Sequence, residues 1–98
     1  MNERRWEAAR TFARLLAGDI RLYNEEAVVT GRRRGDLALR LAEPIQQARD
    51  RYLSRYSQLD PSGRLLRAEL LQVVAGGDEA LLATFDWPER AAVPNRHS

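Results

Sequence analysis

Apolar residues recur along the first quarter of the chain at helical spacing. Trp6, Ala9, Ala13, Leu16, Ile20 and Tyr23 follow one another at steps of three and four, which is the period of one face of an amphipathic helix. A second row, Ala8, Phe12, Leu15 and Leu22, runs beside the first and is interrupted by Asp19. Two adjacent rows make an apolar face wide enough to meet two partners. Asn2 stands as a cap before this helix, and Glu3 and Glu7 suit the positive end of its dipole. Gly18 falls inside the pattern and costs about 1 kcal/mol against Ala. Either another helix approaches closely there or the defect is tolerated. Ala27 extends the spacing, so the helix is expected to continue to about Thr30 and stop at Gly31. The alternative is a new helix starting at Asn24-Glu25-Glu26.

Arg32, Arg33 and Arg34 follow, where cations favour the negative end of a helix. Gly35-Asp36 closes the joint, with Asp36 as the next cap. The second helix is expected from about Leu37 to Ser57, with Leu37, Leu41, Ile45, Ala48, Tyr52 and Tyr56 on its apolar face. Pro44 falls inside that pattern. It removes a backbone donor and clashes with the preceding turn, so a kink near Leu41–Glu43 is expected. The alternative is two helices with Pro44 at the first position of the second. Asp60-Pro61 is a helix-start pair, and the third helix is expected from about Pro61 to Ala75, with Leu65, Leu66, Leu70, Val73 and Val74 apolar. Gly76-Gly77 ends it. Asp78 caps a last short helix, Glu79 to Thr84, with Leu81, Leu82 and Phe85 inward. From Glu89 the period is lost. The chain therefore reads as one helical domain over 1–88 and a flexible tail over 89–98. No segment alternates as a strand does, and no internal repeat is visible.

Composition changes this picture little. The chain has 98 residues, enough for one domain with a modest core. Hydrophobic residues make up 44% and charged residues 31%, the balance of a folded chain rather than a disordered one. All sixteen cations are Arg and net charge is only +2, so the basic balance partly reflects the absence of Lys, and codon bias in a GC-rich genome is the simplest cause. Cysteine is absent, which removes disulfides and thiolate metal sites. No apolar run approaches the roughly 18 residues of a membrane span, and the N-terminus lacks a signal-peptide core. A cytoplasmic protein is expected.

Candidate chemistry is sparse. Arg32, Arg33 and Arg34 are the sharpest feature, because guanidinium groups match phosphate oxygens bidentately. The competing reading is a helix-ending segment with solvated charge, offset by Glu25, Glu26 and Asp36 nearby. Arg34-Gly35-Asp36 spells an adhesion tripeptide, read here as chance. His97 is the single histidine and stands one residue from the end, a poor position for a general base. No glycine-rich phosphate loop is present. Tyr23, Tyr52, Tyr56, Trp6 and Trp87 could stack on bases, but Tyr52 and Tyr56 at helical spacing read as core or interface. No enzyme activity, cofactor or metal is expected.

The run from Ala13 to Tyr52, with Leu22-Tyr23-Asn24 and Gly35-Asp36-Leu37 at its centre, resembles a helical module of uncharacterised bacterial proteins. That module occurs as short standalone proteins or as the C-terminal part of zinc-ribbon and other regulatory proteins. The resemblance covers about residues 8 to 83. Pro44 stands where the module tends to have Asp, and Val28-Val29-Thr30-Gly31 is more apolar than its usual charged run. The likeness implies a helical fold and an intracellular setting, and it carries over no functional residue.

The expected fold is thus all-α: a small bundle of two long amphipathic helices, the second kinked at Pro44, with one or two short helices. A helix of about 25 residues spans roughly 37 Å, and the shorter third helix cannot cover both long ones. The uncovered surface implies a homodimer or a larger protein partner, with Trp6, Phe12, Leu15, Leu16, Ile20, Leu22 and Tyr23 as interface residues. The leading function is a non-enzymatic protein–protein interaction module. The alternatives are nucleic-acid binding through Arg32–Arg34 and a small accessory subunit of a larger complex.

Overall fold

The structure is a computed structural model that describes residues 3–83. The expected tail over 89–98, and with it Phe85, Trp87 and His97, lies outside the described residues. Every regular element among the described residues is helical: α1 (Glu3–Tyr23), α2 (Glu25–Arg34), α3 (Leu37–Arg40), α4 (Ala42–Tyr56), α5 (Arg64–Val73) and one 3-10 turn (Glu79–Leu82). The fold is all-α, with five helices in place of the expected two long ones and their short companions.

The first long helix ends earlier than its apolar period suggests, and Asn24 is the reason. Both its backbone N–H (3.0 Å) and its side-chain Nδ2 (2.9 Å) donate to the Ile20 carbonyl. A short polar side chain competing for local backbone groups is what makes Asn a poor interior residue. Its own carbonyl then accepts from Val28 at 2.9 Å and starts α2. Helix 1 therefore does not continue to Thr30. Gly31 does not stop anything either. It lies buried inside α2, where a Cβ would sit 2.7 Å from the Leu37 Cα. Glycine is needed there so that α3 can press against α2. The stop is Gly35, at φ 79, with the N–H groups of Gly35 (2.8 Å) and Asp36 (3.1 Å) both closing on the Gly31 carbonyl.

The second expected helix is broken into α3 and α4 at Leu41 (φ −107, ψ 17). Pro44 is the third residue of α4, neither mid-helix nor first in a new one. Its missing donor falls in a first turn, where N–H groups have no intrahelical partner anyway. The apolar face survives the break. Leu37, Leu41, Ile45, Ala48 and Tyr52 are all buried, because the bonds from Leu41 N–H to Leu37 and from Ile45 N–H to Leu41, each 2.9 Å, hold the turn count across it. Asp36 precedes α3 but gives no side-chain cap. Its Oδ1 accepts from Arg40 Nε at 2.7 Å instead, and this bond holds its carboxyl below the usual range against the smaller opposing effect of desolvation.

The core is one cluster. Ala9, Ala13, Leu16, Ala17 and Ile20 of α1 meet Ile45, Ala48 and Tyr52 of α4 and Leu66, Leu70 and Val74 of the α5 region. α1 is the hub, lying chiefly on α5 and then on α4. Its three buried alanines have no side-chain length to hold those helices away. Leu81 and Leu82 of the 3-10 turn complete the cluster. That turn begins at Asp78, whose Oδ1 accepts from Ala80 N–H at 3.1 Å.

Candidate interaction surface

Two charged side chains hold the two ends of α5. At its start, α5 begins at Arg64 rather than Pro61, after Gly63 at φ 70. The Asp60 carboxylate nevertheless serves as the cap. Oδ1 accepts from Arg64 N–H and Oδ2 from Leu65 N–H, both at 3.0 Å. Oδ2 also accepts from the Tyr52 hydroxyl at 2.8 Å. Asp60 is 2% exposed and Tyr52 fully buried, so the pair ties α4 to α5 in the interior. Burial, and then the Asp60 carboxylate, push the Tyr52 phenol well above its ordinary value.

At the other end of α5 stands Arg32. Its Nε donates to the Val74 carbonyl at 2.9 Å and its Nη2 to Val73 at 3.3 Å. A cation on the last carbonyls of a helix satisfies acceptors and opposes the negative end of the dipole. The residue comes from α2, more than forty positions away in sequence. Gly76, at φ 63, leaves room for it, since a Cβ there would lie 3.3 Å from the Arg32 guanidinium carbon. The three arginines therefore divide. Arg32 is a cross-helix cap, a role read neither as phosphate contact nor as solvated charge from the sequence. All three residues are exposed, but of them Arg32 is the one whose guanidinium reaches the end of α5.

The residues expected at an interface divide as well. Leu16 (4% exposed) and Ile20 (6%) are in this chain's own core, not on its surface. Phe12 is half-buried in an aromatic cluster, with ring centroids 6.4 Å from Tyr52 and 6.0 Å from Tyr56, and Arg55 covers its ring at 4.7 Å. Trp6 is partly exposed. Leu15 (57%), Leu22 (64%) and Tyr23 (77%) stand in solvent. Val29 and Leu39, also exposed, were not among the expected interface residues.

Beside Leu15 runs a groove between α1 and α4. It widens into two adjoining hollows, one of about 460 Å³ lined by Ile20, Tyr23, Pro44 and Ala48, the other of about 420 Å³ lined by Phe12, Leu15, Ser54 and Arg55. Leu16, Asp19 and Arg51 belong to both. The floor is apolar and the rim charged. Such a groove can take the side chains of an apposed helix. Among the described residues no helix is long and apolar enough to cross a membrane, and no group of three or more metal-ligating side chains comes together.

Comparisons with protein families, with curated proteins and with solved structures found no match for this chain.

Proposed function

We propose that the chain is a non-enzymatic helical protein–protein interaction module, structural or regulatory, whose first partner is a second copy of itself. The observation that carries this reading is the pair Leu15 and Leu22, two helical turns apart on one face of α1 and each more than half exposed. Isolated surface leucines are ordinary. Two on one face, with exposed Ala8 in line with them and the apolar groove alongside, form the sort of patch that marks an interface. The mode of action is passive: α1 uses one side to organise its own core and the other to hold a partner.

The experiment is substitution on the exposed face. Leu15→Glu and Leu22→Arg alter residues outside the core, so helical circular dichroism should persist. Light scattering at micromolar concentration should show the mass fall from two chains toward one. Unchanged mass in both variants, with the unaltered protein paired, would place the interface elsewhere.

A further inference from the structure

The outward side of α1 carries a seam of its own. Ala8, Thr11, Leu15, Gly18 and Leu22 follow at steps of three, four, three and four, the spacing of coiled-coil contact positions. Four of the five are exposed and Gly18 is half-buried. They lie on the side of the helix away from Ala9, Ala13, Leu16, Ala17 and Ile20, which are buried in the core.

Gly18 makes this seam more than a row of surface residues. Its φ is not in the left-handed region, and a Cβ built there meets nothing within 4 Å. Neither backbone conformation nor packing inside the chain requires a glycine in the middle of a 21-residue helix. Gly31 is the contrast, since its missing Cβ is filled by Leu37 of the same chain. The space at Gly18 is free for something outside the chain.

We propose that two copies pair through this seam with their α1 helices antiparallel and the two-fold axis beside Ala13, the midpoint of Glu3–Tyr23. This rests on the self-association proposed above and specifies its geometry. In that register Leu15 lies over Thr11 of the second copy and Ala8 over Gly18 of the second copy, large on small, while Leu22 lies over Arg4 of the second copy, whose methylene stem can cover it. The charges flanking the seam are then complementary. Glu7 faces Arg21 of the second copy and Arg5 faces Asp19 of the second copy, and the symmetry makes each pairing twice. The one like contact, Arg14 with its symmetry mate, is eased within each chain by Glu69, 3.5 Å from Arg14. A parallel arrangement would set Gly18 on Gly18 and Leu22 on Leu22, leaving gaps between bulges. It would satisfy only Arg14 with Asp19 among the flanking charges.

Charge reversal and rescue test the register. Glu7 and Arg21 are exposed, so reversing either leaves the core alone, which circular dichroism should verify. In sedimentation at low salt, Glu7→Arg alone and Arg21→Glu alone should each weaken pairing roughly tenfold, the product of several small exposed ion-pair effects. The combined variant should return to near the original dissociation constant. Gly18→Leu should also weaken pairing about tenfold or more, even though it adds apolar area to the face, because it forces the helices apart. A dimer with additive charge effects and no rescue, or one strengthened by Gly18→Leu, would overturn this register and leave self-association standing. A chain that stays single at every concentration and salt would overturn both.

Discussion

The Tyr52 hydroxyl donates to Asp60 Oδ2 at 2.8 Å in the interior of the molecule, and the same carboxylate receives two backbone N–H groups of α5. A buried carboxylate is costly unless its oxygens are satisfied. Here three donors surround it, and they come from two helices. The bond therefore orients α5 against α4 and also caps it. Tyr52→Phe leaves Asp60 with two donors and should cost about 1–3 kcal/mol in urea unfolding. Asp60→Ala should cost more, because it leaves the Tyr52 hydroxyl and two N–H groups unpaired together. In a double-mutant cycle the two should be strongly non-additive. Additive losses would mean that they act separately.

The same pair predicts a pH response. The folded-state pKa of Tyr52 is raised above the ordinary value of 10.0, first by burial and then by Asp60. The fold holds the phenol neutral, so its contribution is fully present below the unfolded pKa and is lost as pH rises past it. Stability should therefore fall above about pH 10, where an unfolded tyrosine ionises. Tyr52→Phe should lose stability less steeply over that range. Parallel curves for the two proteins would show that Tyr52 does not set the alkaline limit.

The arginine run should separate by role. Arg32→Gln removes the charged donor from the Val73 and Val74 carbonyls and should destabilise by about 1–3 kcal/mol. Arg33→Gln and Arg34→Gln, at exposed positions, should stay within about 0.5 kcal/mol. Equal effects at all three would remove the cap as an explanation.

The two helical glycines make a matched comparison. Gly31→Ala gains helix propensity but drives a Cβ to 2.7 Å from the Leu37 backbone, and overpacking of that kind costs about 1–3 kcal/mol. Gly18→Ala meets nothing within its own chain and should raise single-chain stability by about 1 kcal/mol. Thermal melts at concentrations where the chain is single would show the opposite signs. A stabilising Gly31→Ala would mean that α2 and α3 are not held as close as the structure has them.

These four cases mark what the sequence could convey. The three-and-four spacing marked out Ala9, Ala13, Leu16 and Ile20, and Leu37, Leu41, Ile45, Ala48 and Tyr52, all of which are buried, but the first row also ran on to Trp6 and Tyr23, which are exposed. Asp60 and Asp78 were legible as caps from their place before a helix start. Helix ends were harder. Asn24 breaks α1 through a side-chain bond that competes with an apolar period extending past it. The break at Leu41 lies three residues before the proline that accompanies it. Gly31 resembled a stop because close packing by Leu37 leaves no mark in the local sequence. The Arg32 cap joins residues more than forty positions apart, and no local pattern announces it. Of the expected interface, Leu15, Leu22 and Tyr23 lie in solvent. Leu16 and Ile20 share their stretch of sequence but point into the core. A wide apolar face does not say which of its rows the chain itself will cover.

The proposed pairing has α1 pack its own core on one side and a second copy on the other. Sedimentation equilibrium of the unaltered protein over a nanomolar-to-micromolar concentration series tests it most directly. The mass should rise reversibly from one chain to two, with no further growth at higher concentration, because a two-fold pairing is closed. A single-chain mass throughout the series, or an assembly that keeps growing beyond two chains, would contradict it.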